Sequence, residues 1–432
     1  MFYTDCLGVN GLGHLTIDDL DTVMLAQHYG TPLYVMSETE IEKNVGLYKD
    51  SIERHYGGNG IMAYASKAFC CKEIYRIMAR LGVAIDVASG GELHTALSVD
   101  FPVERIYFHG NNKTPPEIAR AVEVDVGRIV ADNLPELEIV AATARSAGKK
   151  VPVLLRIKPG IDAHTHDFVR TGQIDSKFGF GLETGEAMEA IRFALDSDYI
   201  DVKGLHCHIG SQIFDIDPFA HAASVIIQFM ADVHHEFGLV MNELNLGGGF
   251  GIRYVASDDP EPYDNYMRAV ADSVRASCIE TGLPQPYVTL EPGRSIVGPA
   301  GITLYTAGAI KEIPGIRTYL TIDGGMADNP RYALYGSKYE VFVASRAGQP
   351  KDSVVTIAGR CCESGDLIGE NMPIQRPSEG DIIAVTGTGA YNYTMASNYN
   401  RLPRPPIVMV KGGEHRKVVR GESYDDLLLN DL

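Results

Sequence analysis

The sequence predicts an α/β chain: a (β/α)8 barrel and a second, all-β domain formed by the C-terminal part plus the N-terminal segment. Three observations carry this expectation. Short apolar or alternating segments recur eight times, with amphipathic stretches between them. No GxGxxG follows the first of them, which disfavours the open doubly wound sheet that is the alternative. Beyond about residue 301 the helical periodicity fades, and strand-like runs punctuated by Gly, Pro and Asn take over.

In chain order, residues 32–36 read as a strand and 38–55 as a helix with Ser37 as a fair N-cap. The barrel segments follow at 61–67, 84–88, 105–109, 128–131, 153–158, 202–208, 242–246 and 287–291. The first four are spaced by about 22 residues, the length of one βα unit. Residues 115–124, 135–147 and 217–237 have the amphipathic pattern of helices packed on such a barrel. Strand-like runs at 319–322, 354–357, 382–386 and 406–410 build the second domain. The expected boundaries are 1–35 for the N-terminal segment, 36–300 for the barrel and 301–432 for the β domain. The acidic end, 422–432, reads as a solvated tail.

Composition narrows the function classes. At 432 residues, 45% hydrophobic and 22% charged, the chain has the make-up of a soluble enzyme with a barrel-sized core. No apolar run approaches a membrane span, and the N-terminus lacks a signal-peptide pattern. A formal charge of −18 disfavours nucleic acid and anionic membrane as partners. Any small anion must therefore be held by local donors against the mean field. Seven cysteines, with adjacent pairs at 70–71 and 361–362 and no CxxC, suit neither a disulfide framework nor a structural zinc site. A reducing cytoplasm is the expected compartment.

The chemistry-bearing residues fall where a barrel puts its active site, at the C-terminal ends of the strands. Lys67, in YASKA at 64–68, stands at the end of the first. A lysine there, near desolvating walls, can lose its proton and attack a carbonyl, although a rim lysine can also simply snorkel to solvent. The other ends carry Asp86 with Ser89, His109 with Asn111, Arg156, His206 and His208, the glycine run 247–249, and Glu291 with Arg294. Packing alone does not account for polar groups at one rim of nearly every strand.

Each motif has a chemical reading. The run Gly247, Gly248, Gly249, Phe250, Gly251 lets backbone N–H groups crowd one anion, as phosphate-cradling loops do, though a glycine-rich turn can be only a turn. Glu291, in EPGR, would keep a ring nitrogen protonated beside it, or pair with Arg294. His206 and His208 alternate on one strand and could share a metal ion. A third ligand is missing from that reading, since His164 and His166 lie in a loop without ligand spacing. One imidazole stacked on a planar cofactor is the better use, and no metal is expected. Cys361, Cys362 and Glu363, in CCESGD, pair a thiol with a carboxylate: a candidate proton donor beside an ammonium anchor, or a buried thiol in a turn. GTGAYNY at 387–393 offers close backbone approach and phenols. Arg331 and Tyr335 add a cation suited to a two-pronged carboxylate grip.

Together these motifs resemble the alanine-racemase-like (fold type III) pyridoxal-phosphate enzymes, and within them the diaminopimelate decarboxylases. YASKA, DVASGGEL, SKFGF, HCHIGSQ, LNLGGGFG, EPGR, CCESGD and GAYNY occur in family order from about residue 30 to 397. Glu363 resembles this branch, whereas ornithine decarboxylases usually carry Asp at that place. The resemblance implies pyridoxal 5′-phosphate as cofactor and decarboxylation of meso-2,6-diaminopimelate to L-lysine. Ornithine, arginine or carboxyspermidine-like substrates, and more remotely a metal-dependent hydrolase, are the alternatives. It implies that Lys67 holds the cofactor covalently, that His208 stacks on its ring and that Glu291 pairs with the ring nitrogen. Gly248, Gly249 and the backbone at Gly293 and Arg294 would bind the phosphate, assisted by Ser211 and Tyr391. Arg294, Arg331, Tyr335 and Tyr391 would bind the substrate, with Glu363 on its distal ammonium. It further implies a homodimer with active sites at the interface, in which Cys362 works in the partner subunit's site.

Overall fold

The computed structural model describes residues 2–161 and 176–432; His164 and His166 lie outside the described residues. The chain divides into two compact units.

The first unit comprises 45–251 and 259–293, and holds the barrel. Its eight strands are β1 (Gly60–Ala65), β2 (Ala84–Val87), β3 (Ile106–Phe108), β4 (Arg128–Ala131), β5 (Val151–Lys158), β6 (Ile200–His206), β7 (Glu243–Asn245) and β8 (Tyr287–Leu290). Each pairs in parallel with the next, and β8 returns to β1 through Val288 opposite Gly60, which closes the ring. Both faces of the ring are covered, by helices outside and by packed side chains inside, so β1 and β3 read as apolar runs, while β6 keeps Asp201 and Lys203 at its half-buried start. Inside, Ala63, Ala84, Tyr107, Val130 and Leu154 pack into one cluster, so the barrel is filled rather than hollow. A short extra strand, Phe180–Gly181, runs parallel beside the end of β5.

The helices begin where the sequence supplies side-chain acceptors for their first free N–H groups. Ser89 accepts from Glu92 N at the start of Gly90–Leu97, and Asn133 accepts from Glu136 N at the start of Leu134–Ala147. Thr114 and Glu117 form a reciprocal capping box ahead of Pro115–Glu123. Among the described residues no helix is long and apolar enough to cross a membrane.

The second unit comprises the described residues up to Asn44, Ile252–Asp258 and Arg294–Leu432. Its main sheet runs Leu367–Ile374, Ser353–Ala358, Arg317–Ile322, Gly301–Ile313, Leu33–Ser37, Ile407–Lys411 and Glu414–Val419. The 13-residue strand Gly301–Ile313 also pairs with Ile382–Thr386, which in turn pairs with Val341–Val343. All five residues of Leu33–Ser37 are buried. This N-terminal strand lies within the sheet, with Val35 opposite Ile302 in antiparallel register and opposite Val408 in parallel register. The fold is thus an α/β barrel with a mixed sheet built from C-terminal strands and one N-terminal strand. Two apolar clusters underlie the sheet, one around Leu15, Val35 and Leu304, the other around Tyr305, Val341 and Ile357.

Candidate active site

In the barrel unit, the polar residues converge on Glu291, which directly follows β8. The residue is 7% exposed. It accepts hydrogen bonds from Asn245 Nδ2 at 2.6 Å, His109 Nε2 at 2.7 Å and His206 Nε2 at 3.1 Å. Burial pushes the Glu291 carboxyl upward, but the two imidazoles and their hydrogen bonds outweigh burial and hold it well below the ordinary carboxylate range. It is a fixed, buried anion. Burial also lowers His206, to about 3, against the pull of Glu291, so its ring is neutral and donates through Nε2. The ligand atoms of His109, His206 and Glu291 lie within 4.8 Å of one another. The metal reading of the sequence paired His206 with His208; the cluster instead holds His109, and its members are spent on hydrogen bonds to one another.

Lys67 lies in the turn Ser66–Ala68 that directly follows β1, exposed between two buried neighbours. The turn is tied to β2: Ser66 N donates to Asp86 Oδ1 at 3.1 Å, and the Ser66 hydroxyl donates to the Asp86 carbonyl. Asp86 is driven well above the ordinary range, by burial and then by the Glu291 charge, with Lys67 opposing. Two carboxyls of opposite tendency therefore share this end of the barrel, Asp86 pushed up and Glu291 held down. His208 lies beyond the end of β6 and is lowered well below the usual imidazole value, by burial first and then by Lys67 and Arg156. Its Nδ1 accepts from Gly248 N at 3.3 Å. Ser211 is half-buried in the loop that follows.

The glycine run leaves no room for side chains. A Cβ on Gly248 would lie 2.1 Å from the Glu291 carbonyl oxygen, and one on Gly249, whose φ is 121°, would lie 2.5 Å from the Gly210 carbonyl oxygen. Gly293 is pressed against Ala65 and Ala68 in the same way, at 2.8 and 3.0 Å. Backbone replaces side chain along this arc.

In the sheet unit, a second group forms around Tyr391, a non-glycine residue at φ 61°. The Arg294 and Arg331 guanidinium carbons lie 4.8 and 5.2 Å from its ring centroid, and Arg331 lies 5.1 Å from the Tyr335 ring. Arg331 is 8% exposed, and its Nε is buried without a hydrogen-bond partner among the described residues. No carboxylate among the described residues forms an ion pair with it. A buried cation in that state is a receptor for an anion. The turn at Cys361 is organised by Asp366, which accepts from Cys361 N and Met326 N, both at 2.6 Å. Cys361 is buried, and burial followed by the Asp366 charge pushes its thiol up to about 12. Cys362 and Glu363 are exposed.

The pyridoxal-dependent decarboxylase, pyridoxal binding domain family model matches residues 38–298. A diaminopimelate decarboxylase of Bacillus subtilis is 46% identical over 98% of this chain and 96% of its own length. One from Staphylococcus aureus is 42% identical over 98% of each. The chain belongs to the diaminopimelate decarboxylase family. A crystal structure of diaminopimelate decarboxylase from M. jannaschii with L-lysine superposes at a TM-score of 0.92, with 35% identity, covering 100% of this chain and 99% of that one. A lysine/ornithine decarboxylase from Vibrio vulnificus, at 23% identity and a TM-score of 0.77, shares the fold.

The residues of this family member suit pyridoxal phosphate. A protonated pyridine nitrogen requires a buried anion held in the ionised state, and Glu291 is one. A phosphate requires backbone N–H groups without obstructing Cβ atoms, which the 247–249 run and Gly293 provide. An aldehyde requires a reachable amine, and Lys67 is exposed.

Sequence reasoning missed Asn245, Lys113 and Tyr254. Asn245 could have been found as the inward-facing position of β7, two residues before the glycine run. Lys113 forms a buried ion pair with Glu136 at 2.7 Å, a pairing across separate elements that leaves no local pattern. Tyr254 carried no signal.

The His206 ring gives a pH test. Its folded-state value, about 3, lies below the ordinary 6.5, so the unfolded chain takes up a proton first on acidification. Its contribution is present above about pH 6.5 and is lost as pH falls toward 3, at about 1 kcal/mol per pH unit. Asp86 acts with the opposite sign in wild type and variant alike. The stability deficit of His206→Gln, measured by denaturant titration, should narrow between pH 7 and pH 5. A constant deficit would contradict the neutral buried ring.

Proposed function

We propose that the chain decarboxylates meso-2,6-diaminopimelate to L-lysine and CO2, with the barrel unit, 45–251 and 259–293, binding pyridoxal phosphate. The reading is carried by one observation above all: Arg331, buried and without a counter-ion among the described residues, faces the same tyrosine as Arg294. Such a pair answers a substrate with a carboxylate far from the reacting carbon, which ornithine and arginine lack.

The roles then follow from each residue's own chemistry. Lys67 would hold the cofactor covalently, Glu291 would keep its ring nitrogen protonated, and His208 would pack on the ring. Ser211, Gly248, Gly249, Gly293, the Arg294 backbone and Tyr391 bind the phosphate. Pyridoxal phosphate, when bound, supplies the sink for the electron pair left on the α-carbon as CO2 departs. Arg294, Arg331, Tyr335 and Tyr391 hold the distal carboxylate, and Glu363 holds the distal ammonium. A substrate without that carboxylate leaves buried donors unsatisfied, at about 1–3 kcal/mol. Cys362 delivers the proton to the α-carbon in the partner subunit of a homodimer, and its thiol regains one from solvent. The seven free cysteines support a cytoplasmic setting.

CO2 release from meso-diaminopimelate, with and without added pyridoxal phosphate and against ornithine and arginine, tests the reading. Cofactor-dependent release from diaminopimelate alone is the expected result; release from ornithine instead would overturn the carboxylate grip. Cys362→Ala should lower kcat by about 10²-fold, the scale of a lost proton donor. Cys361→Ala should lower it only a few-fold, because a buried thiol pushed up to about 12 sits within the Asp366-ordered turn. The reverse order would move the proton donor to Cys361.

A further inference from the structure

One contact to Arg294 comes from outside every motif of the site. Tyr254 lies in the segment Ile252–Asp258, which packs with the sheet unit. Its hydroxyl oxygen accepts from Arg294 Nη1 at 2.7 Å. The residue is itself held at its backbone and on two sides of its ring. Its backbone N–H donates to Asp258 Oδ2 at 2.9 Å. Its ring meets Tyr339 edge-on, with centroids 5.8 Å apart and planes at 87°. At Gly387 a Cβ would sit 3.2 Å from the Tyr254 ring, so the backbone there closes over it. Tyr254 is 8% exposed and has little freedom to turn away.

A guanidinium is planar, and its donors can meet a carboxylate in two prongs only in its own plane. Tyr391 lies near the guanidinium at 4.8 Å, and a hydrogen bond at Nη1 removes the remaining rotation of the plane. Ordering that side chain in advance removes a cost that binding would otherwise bear. We propose that Tyr254 is a positioning residue that sets carboxylate selectivity by holding the Arg294 guanidinium. The proposal rests on the reading of Arg294 as a carboxylate-binding group.

Tyr254→Phe removes the hydroxyl and keeps the ring packing. In the cofactor-loaded variant, KM for meso-diaminopimelate and the calorimetric Kd for L-lysine should each rise about tenfold, with kcat within about threefold of wild type. Cadaverine, which has no carboxylate, should bind variant and wild type alike, and the cofactor's visible spectrum should be unchanged. Adding Tyr254→Phe to Arg294→Lys should weaken L-lysine by less than about twofold more, since both act through one guanidinium. An unchanged Kd for L-lysine, or equal weakening of L-lysine and cadaverine, would overturn the proposal while leaving the reaction in place. Wild-type holoenzyme that neither turns over diaminopimelate nor binds L-lysine would overturn the substrate reading, and this inference with it.

Discussion

Lys67→Ala is expected to abolish CO2 release, by about 10³-fold or more, and to remove the visible absorbance of covalently held cofactor. Lys67 sits in the turn that follows β1, and Ser66 beside it is pinned to β2 through the Asp86 backbone and carboxylate. The amine is therefore presented from a fixed turn rather than a loose loop. Its charge is felt by both Asp86 and His208, so it stands among the groups that would surround a bound ring. Lys67→Arg should not rescue activity, because a guanidinium does not give up its proton to become a nucleophile. Spectra and single-turnover CO2 measurements check both variants. Turnover retained by the alanine variant would sink the assignment of the covalent site.

Glu291→Gln is the second large effect. The amide keeps the size of the carboxylate but carries no charge, and kcat should fall by about 10²–10³-fold, the scale of a lost preorganised electrostatic contact. Gln also brings an NH2 group into a shell of donors: His109, His206 and Asn245 all donate to the carboxylate now present. One of them must lose its acceptor, so the variant should also unfold at lower denaturant concentration. Lys67 remains, so the cofactor should still attach. Full activity with attached cofactor would show that the ring nitrogen needs no anion here.

Much of this was legible in the sequence because barrel strands announce themselves by apolar runs, and barrel chemistry sits at one end of them. Lys67, His109, His206 and Glu291 all follow or terminate a strand, where a reader of strand ends would look. Boundaries were less legible. The sixth strand was expected to reach His208 but ends at His206, so His208 belongs to the loop, where its Nδ1 meets Gly248 N. The metal reading misplaced the cluster for the same reason: residues that alternate in sequence share a face only while the strand lasts. Tyr254 and Lys113 were invisible because their partners, Arg294 and Glu136, are joined to them only by the fold. The neighbouring residues of a tyrosine do not reveal which guanidinium it will restrain.

The N-terminal strand Leu33–Ser37 has a further consequence, for the order in which the chain is made. It is paired on one side by Gly301–Ile313 and on the other by Ile407–Lys411. Both partners leave the ribosome long after it does. A nascent chain can therefore close the whole barrel while five apolar-rich residues wait with open edges, and only strands made after the barrel complete their sheet. Truncation before residue 407 should strand that edge and make the shortened chain self-associate, whereas the barrel strands, contiguous between 60 and 290, need nothing from the C-terminus to pair.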